Sequence, residues 1–298
     1  MEYLQLGTSD LRISRIGFGC MSLPKAAGEA ERLIHQAIDR GINYFDTADL
    51  YDKGLNETHL GQALKQHRAE VVLATKVGNQ WRPDGSGWDW NPRKDYILSS
   101  VEESLRRLQT DYIDLYQLHG GTLEDPIDET IEAFEILKQQ GKIRWYGISS
   151  IRPSVIREWV SRSHMVSMMM QYSLLDRRPE ETCLPLLQEH QIGVLARGSV
   201  ASGLLVNKPP KAYLNYTPEQ VQQAADAIRS VSTPQRNAAQ TAIRFVLEQP
   251  AIAAAVVGIR TGEQLEEAVG AFDAPALNEK EKMRLVGSVP VNKYEQHR

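Results

Sequence analysis

Residues 43–51 read NYFDTADLY, a short apolar strand pattern that ends on Asp46 and then turns outward to Tyr51. On either side, residues 29–40 and 56–67 carry apolar side chains at helical spacing, and Gly41 marks the end of the first helix. The stretch is therefore the strand of a helix–strand–helix unit. It predicts an α/β fold and places a carboxylate at the tip of a strand.

The same unit recurs along the chain. The predicted strands are residues 15–20, 43–46, 71–76, 112–118, 143–149, 166–171, 193–196 and 253–257, with helical segments between them. Regular alternation of this kind implies a parallel sheet with crossover helices. Roughly eight units in ~250 residues is the size of a (β/α)₈, or TIM, barrel, and a doubly wound open sheet is the alternative.

The ends of the chain add elements to this repeat. Two alternating runs within residues 3–14 predict a β-hairpin, which would close the bottom of the barrel. Extra helices are predicted near the C-terminus, at 217–230, 235–248 and 277–286. No linker or low-complexity stretch divides the chain, so we expect one domain over residues 1–298.

The composition excludes several classes of function. A formal net charge of -4 leaves no basic excess for binding nucleic acid or an anionic membrane surface. No apolar run reaches the ~18 residues of a membrane span, and no signal-peptide core is visible. Two cysteines form no disulfide framework, and the seven histidines lack metal-ligand spacing. We expect a cytoplasmic protein with no metal, nucleic-acid or membrane partner, and no feature requires a protein partner.

Three side chains end successive predicted strands. Asp46 ends the strand quoted above, Lys76 ends VVLATK, and His119 ends YIDLYQLH. Active sites of (β/α)₈ barrels lie at the carboxyl ends of the strands. We therefore expect these three residues and Tyr51 to meet in one mouth.

These four residue types suit proton donation to a carbonyl. A tyrosine hydroxyl has an ordinary pKa near ~10, and a nearby ammonium favours its deprotonation. Lys76 would supply that ammonium, Asp46 would hold it, and His119 would hydrogen-bond a carbonyl oxygen. The carbonyl carbon would then need a hydride, which a nicotinamide supplies and a side chain does not.

Each of the four residues also has an ordinary interpretation. Asp46 could cap a turn, Tyr51 could be packing, and His119 could be a satisfied core histidine. Lys76 could lie on the surface, or it could form a Schiff base in a barrel of the aldolase class. The catalytic interpretation is favoured by the set, because suitable residues occur at three consecutive strand tips.

Residues 78–92, GNQWRPDGSGWDWNP, follow Lys76 and hold three of the five tryptophans. Loops at this face of a barrel build the substrate pocket. We expect Trp81, Trp88 and Trp90 either to form an apolar lid over the substrate or to anchor the long loop on the barrel.

These motifs resemble the aldo-keto reductase superfamily along nearly the whole chain. The matching segments include GINYFDTADLYDKGLNETHLGQAL, VVLATKVG, SVEESLRRLQTDYIDLYQLH and VVGIRTGEQLEEAV. The resemblance implies a (β/α)₈ barrel that binds NADP(H) and reduces aldehydes or ketones, small-molecule carbonyl substrates, with Tyr51 as the acid. Some relatives are regulatory potassium-channel subunits that keep the cofactor, so cofactor binding without turnover is a further alternative.

The resemblance also implies the cofactor-binding residues. Ser149 and Gln171 would bind the nicotinamide carboxamide. Arg260 would contact the 2′-phosphate that NADP has and NAD lacks, and Met21 would line both the nicotinamide and substrate sites. The implied cofactor residues are Gly19, Cys20, Met21, Ser149, Ser150, Gln171, Arg197, Gly203, Leu204, Gly258, Arg260, Thr261, Gln264 and Glu267.

Several positions depart from the family pattern. Arg197 stands where many members stack an aromatic ring on the nicotinamide, Ser150 replaces an asparagine, and Ala268 replaces another against the adenine. A guanidinium is planar and can stack, but less favourably against the cationic oxidised nicotinamide, so we expect altered cofactor affinity or release. The Gly17–Gly19 run, GFG, lacks the acidic residue and frame of a Rossmann fingerprint, and we expect no Rossmann site.

Overall fold

Eight parallel strands close into a barrel in the computed structural model, which describes residues 1–298. The chain forms twelve strands, eight in the barrel and four in two separate hairpins. They are β1 (Tyr3–Gln5), β2 (Arg12–Ser14), β3 (Ile16–Gly19), β4 (Tyr44–Asp46), β5 (Val72–Val77), β6 (Asn79–Trp81), β7 (Trp88–Trp90), β8 (Ile113–Leu118), β9 (Ile143–Ser149), β10 (Ser167–Gln171), β11 (Gly193–Arg197) and β12 (Ile252–Gly258). The barrel order is β3, β4, β5, β8, β9, β10, β11 and β12, which returns to β3.

Helices cover the outside of this barrel. They are α1 (Ala27–Asp39), α2 (Leu55–Leu64), α3 (Lys94–Leu108), α4 (Ile127–Gln139), α5 (Pro153–Arg162), α6 (Cys183–Glu189), α7 (Pro218–Val231), α8 (Ala238–Leu247), α9 (Gly262–Asp273) and α10 (Glu279–Val286). Helix α1 shows why they pack there, because its buried residues Ala30, Leu33, Ile34 and Ala37 lie on one face. None of these helices combines the length and apolar character needed to traverse a membrane.

Pairing of the first and last barrel strands confirms the barrel and excludes the open sheet. In the register of β12 with β3, Val256 lies opposite Gly17. Gly17 cannot carry a larger side chain, because an added Cβ would lie 2.6 Å from the ring of Tyr44. The small residue allows the inward tyrosine of the next strand to fill the barrel.

The predicted hairpin closes the amino-terminal end of the barrel. Strands β1 and β2 pair antiparallel, and Leu6, Leu11 and Ile13 pack in one buried cluster with inward barrel residues such as Leu115. The turn depends on Gly7, whose φ is +57° and whose added Cβ would lie 2.2 Å from a backbone oxygen. The extra helices α7, α8 and α10 are also present, as predicted.

Residues 79–90, predicted as a loop, form an antiparallel hairpin instead. In the pairing of β6 with β7, Asn79 lies opposite Trp90 and Trp81 opposite Trp88. The turn is closed by Asp84, whose carboxylate accepts a hydrogen bond from the Ser86 N–H at 2.9 Å. The Pro-Asp-Gly sequence of this turn is the local signal that the loop prediction overlooked.

Candidate active site

A buried ion pair lies at the centre of the barrel mouth. Asp46 ends β4 and Lys76 lies near the end of β5, and their side chains are 4% and 1% exposed as residues. The Lys76 ammonium also donates to the Thr47 carbonyl at 2.8 Å. The second carboxylate oxygen of Asp46 accepts from Gln117 Nε2 at 3.0 Å. Three adjacent strands therefore hold the pair in one orientation.

Tyr51 and His119 complete the set predicted from the strand tips. Lys76 Nζ lies 5.3 Å from the centre of the Tyr51 ring. The Tyr51 and His119 rings meet edge to face, with centres 5.8 Å apart. The structure thus brings all four predicted residues together, at the carboxyl ends of three neighbouring strands.

The turn from Asp46 to Tyr51 is fixed by hydrogen bonds beyond the end of β4. The N–H groups of Thr47 and Asp49 donate to backbone oxygens of Ala74 and Lys76, at 2.9 and 3.3 Å. The Thr47 hydroxyl donates to Asn56 at 2.6 Å, and Asn56 in turn donates to the Cys20 carbonyl at 2.8 Å. Tyr51 is therefore positioned by backbone and polar contacts, not by its own packing alone.

The two nitrogen bases in the site, Lys76 and His119, differ in charge at neutral pH. Burial alone would lower the pKa of Lys76, but the charge of Asp46 and its hydrogen bond outweigh burial and raise the pKa above its ordinary value. Burial lowers the pKa of His119 to about 3, and the positive charges of Lys76 and Arg197 act in the same direction. At neutral pH the site holds an ammonium and a neutral imidazole, and His119 Nδ1 has no partner in the protein.

A cavity of about 660 Å³ opens over these residues. Its lining includes eight residues predicted from the sequence: Met21, Tyr51, Trp88, Trp90, His119, Ser149, Ser150 and Arg197. This volume lies within the range of sites for small organic ligands. The catalytic, nicotinamide and substrate predictions therefore converge on one mouth.

The three tryptophans do not share one position. Trp88 lines the mouth and is 48% exposed. Trp90 lines it too, but it is also anchored, because its ring N–H donates to Asp125 at 2.9 Å. Trp81 lies in a neighbouring cavity and donates to the Leu50 carbonyl at 3.3 Å. The substrate-pocket prediction for Trp81 therefore has no support from its place in the structure.

Polar groups at the tips of β9, β10 and β11 form the side predicted to bind the nicotinamide. Gln171 and Arg197 are register partners, and Arg197 Nη1 donates to Gln171 Oε1 at 3.2 Å. Gln171 Nε2 donates to the hydroxyl of Tyr213 at 2.6 Å. Ser149 ends the adjacent strand. Side-by-side amide and hydroxyl groups fit a planar carboxamide, so these residues suit the implied cofactor.

The start of α9 suits the phosphate end of such a cofactor. Thr261 caps the helix by accepting from the Gln264 N–H at 3.2 Å, and Gln264 Oε1 accepts from the Arg260 N–H at 2.9 Å. A small cavity there is lined by Arg32, Arg260, Thr261 and Gly262 among others. Two guanidinium groups beside the N–H groups of a helix N-terminus form a donor set that fits a phosphate.

Other predicted cofactor residues are less available. The Cys20 side chain is fully buried, Leu204 is 2% exposed, and the Glu267 carboxylate already accepts from Asn237 at 3.2 Å. Burial raises the pKa of the Cys20 thiol well above its ordinary value. For Cys20 and Leu204, only backbone groups remain for contact with a ligand. Gly203, with φ of +91°, and Gly258 lie in the neighbouring loop and strand end.

Sequence reasoning missed several polar residues of the site. Gln117 precedes His119 by two positions, so strand alternation places both side chains on the inner face. The same spacing links Tyr44 with Asp46, whose carboxylate accepts from the Tyr44 hydroxyl at 3.4 Å. Tyr213 comes from a loop, where no periodicity indicates the direction of a side chain.

Residues 15–288 match the model of the aldo/keto reductase family. The chain is 51% identical, over its whole length and that of the relative, to the uncharacterized oxidoreductase YqkF of Bacillus subtilis. It is 30% identical to L-galactose dehydrogenase of Arabidopsis thaliana, over 91% of this chain and 88% of that one.

Solved structures also resemble this chain. The holo form of aldo-keto reductase AKR11C1 from Bacillus halodurans superposes with a TM-score of 0.94 at 50% identity, covering 100% of this chain and 99% of that one. Glycerol dehydrogenase AKR11B4 from Gluconobacter oxydans superposes with a TM-score of 0.85 at 26% identity, covering 98% of each chain.

Proposed function

The chain belongs to the aldo/keto reductase family, a family of oxidoreductases, and we propose that it reduces aldehydes or ketones to alcohols with NADPH, using Tyr51 as the proton donor. The observation that carries this proposal is the buried Asp46–Lys76 pair beside Tyr51, in a mouth also lined by His119. We propose further that the 298 residues act as one catalytic unit.

Lys76 supports proton transfer from Tyr51. As a carbonyl oxygen accepts the proton, negative charge develops on the phenol oxygen, and the ammonium 5.3 Å from the ring centre stabilises it. Asp46 keeps Lys76 protonated and in place, because both groups are buried and paired. General acid catalysis of this kind contributes about 10²–10⁴-fold to a rate.

His119 is suited to orienting the carbonyl, and poorly suited to protonating it. With a pKa of about 3, the imidazole is almost wholly neutral at physiological pH. A neutral imidazole can donate one hydrogen bond to a carbonyl oxygen but holds no readily transferred proton. This leaves Tyr51 as the acid of the pair.

The cofactor would be held at two places, the barrel mouth and the start of α9. Ser149, Gln171 and Arg197 would bind the nicotinamide end, and Arg260 with Thr261 would bind the 2′-phosphate. When bound, NADPH supplies the hydride that no side chain can provide. The proposal of NADPH over NADH rests on Arg260, because NADH has no phosphate at that position.

The rim of the mouth favours substrates with an apolar or aromatic body. Met21, Trp88 and Ile151 line the cavity and are 65%, 48% and 43% exposed. Apolar side chains this exposed around a cavity are typical of a ligand-binding surface. Lys76, by contrast, is poorly suited to Schiff-base chemistry, which requires a neutral amine, because Asp46 raises its pKa.

The test is turnover of an activated aldehyde. We expect the protein to oxidise NADPH steadily with 4-nitrobenzaldehyde, and Tyr51→Phe to lower kcat by about 10²–10⁴-fold while NADPH binding persists. Tyr112→Phe is a matched control, because Tyr112 stacks on Arg68 away from the mouth. Wild-type rates in Tyr51→Phe would refute the mechanism. NADPH binding without turnover would favour the regulatory alternative.

A further inference from the structure

Tyr213 is not among the predicted cofactor residues, yet it contacts one of them. It lies in the 207–216 loop, which follows the turn at Gly203. Its hydroxyl is 2.6 Å from Nε2 of Gln171, the side chain implied to bind the nicotinamide carboxamide. It is the shortest side-chain hydrogen bond that Gln171 makes, since the other, to Arg197, is 3.2 Å.

The two neighbours of Gln171 determine which way its amide faces. A guanidinium has only donors, so Arg197 must meet the amide oxygen, Oε1. Nε2 then faces Tyr213, and the tyrosine hydroxyl accepts the hydrogen bond. One amide N–H and one lone pair of Oε1 remain free. That pair of groups is complementary to a planar primary carboxamide, which also presents one acceptor and an NH₂ group.

Tyr213 is held in place by the protein itself. Its backbone N–H and carbonyl pair with those of Tyr216, at 3.1 and 3.0 Å, around a tight turn. Tyr216 is 4% exposed, and its hydroxyl donates to the Pro290 carbonyl at 2.7 Å. The turn is thereby fixed to the C-terminal segment. The position of the Tyr213 hydroxyl therefore does not depend on a bound ligand.

The geometry points to Tyr213 as a positioning residue that presets the Gln171 amide for the carboxamide of the nicotinamide. This inference rests on the proposed function. A glutamine side chain has several rotamers, and immobilising it on binding costs conformational entropy, which weakens the affinity for the ligand. An amide already held between Tyr213 and Arg197 loses less freedom when a ligand binds. Tyr213 thus acts through Gln171 and is not itself a catalytic residue.

The test separates the nicotinamide end of the ligand from the phosphate end. Dissociation constants are measured for NADPH by fluorescence and for 2′,5′-ADP by calorimetry, since 2′,5′-ADP has the phosphate end but no nicotinamide. We expect Tyr213→Phe to weaken NADPH about threefold to tenfold, the value of one hydrogen bond, and to leave 2′,5′-ADP unchanged. The control Tyr3→Phe loses a hydrogen bond to the Gly41 carbonyl at the amino-terminal end of the barrel, and it should keep the wild-type ratio of the two affinities.

A double-mutant comparison tests whether the effect passes through Gln171. We expect Gln171→Ala and Gln171→Ala/Tyr213→Phe to bind NADPH equally weakly, because the tyrosine has nothing left to position. Additive losses, equal losses for both ligands in Tyr213→Phe, or unchanged NADPH affinity in that variant would each overturn the inference. Failure of the wild-type protein to bind NADPH would instead overturn the proposed function, and this inference with it.

Discussion

The ammonium of Lys76 lies 5.3 Å from the centre of the Tyr51 ring while paired with the buried carboxylate of Asp46. One positive charge therefore serves two neighbours. It pairs with a carboxylate buried away from water, and in the proposed mechanism it would stabilise charge on the tyrosine during proton transfer. The proposed mechanism therefore couples stability and catalysis at this residue.

Lys76→Met should lower kcat for aldehyde reduction by about 10²–10⁴-fold, because the charge that assists Tyr51 is lost. It should also lower the free energy of unfolding by about 3–5 kcal/mol, because Asp46 becomes an unpaired buried charge. Steady-state kinetics and urea denaturation measure the two effects. Adding Asp46→Asn should recover most of the stability but none of the rate. Recovery of the rate in the double variant would show that the Lys76 effect on catalysis is structural.

Acidification should destabilise the protein through His119. Its pKa is about 3 when folded and near ~6.5 when unfolded, so the unfolded chain binds an extra proton between these values. Stability is therefore lost as pH falls through this window, by about 2 kcal/mol between pH 7 and pH 5. Urea unfolding at both pH values should show this loss reduced in His119→Gln. The exposed His190→Gln variant serves as the control, and an equal reduction there would contradict the assignment.

Asp49 should produce the opposite pH dependence. Burial, followed by the charge of Glu57, raises the pKa of Asp49 to about 8. The folded protein then holds a proton that the unfolded chain has released, so stability falls as pH rises from about 4 to 8, by up to about 1.4 kcal/mol per pH unit. Asp49→Asn should raise the free energy of unfolding at pH 7 and flatten its pH dependence. Asp52→Asn, in the exposed part of the same turn, should do neither.

Arg260→Ala should weaken NADPH binding about tenfold to a hundredfold, because a charge-assisted hydrogen bond to the 2′-phosphate is lost. NADH affinity should stay within experimental error, since NADH lacks that phosphate. Fluorescence titration of both cofactors measures the ratio. Arg284→Ala, at an exposed position in α10, is the matched control. Equal losses for the two cofactors would remove Arg260 from the phosphate site.

The separate positions of Trp88 and Trp81 predict different effects of their loss. Trp88→Ala should raise KM for an aromatic aldehyde about twofold to tenfold, because a ring that lines the mouth is removed. Trp81→Ala should leave KM unchanged and lower the melting temperature, because Trp81 anchors the hairpin to the Leu50 carbonyl. The converse result would mean that the hairpin presents Trp81 to the substrate.

The barrel and the centre of its site were predictable for one physical reason. Parallel strands direct their carboxyl ends to one face, so residues at successive strand tips, such as Asp46, Lys76 and His119, must meet there. Gln117 was predictable on the same basis, from its spacing to His119. Strand periodicity indicates which residues share a face, because each side chain in a strand points to one of only two faces of the sheet.

Residues outside the strands could not be placed in this way. The hydrogen bond between Tyr213 and Gln171 joins positions 42 apart in the chain, and nothing in the local sequence of the loop indicates it. The β6–β7 hairpin has strands of only three residues each, which is too short for alternation to indicate a strand, although the Pro-Asp-Gly sequence at residues 83–85 is typical of a turn. Loop contacts of this kind depend on the whole fold, so they cannot be predicted from the local pattern of a single sequence.

Closure of the barrel between β3 and β12 has a consequence for synthesis of the chain. Arg15, just before β3, donates to the carbonyl of Ile252, 237 positions later, and its own carbonyl accepts from Ala255 at 2.9 Å. Strand β3 therefore cannot pair with β12 until nearly the whole chain has left the ribosome. During that interval its edge is open to pairing with other chains. Because the barrel closes late, the nascent chain is more vulnerable to aggregation than the folded protein.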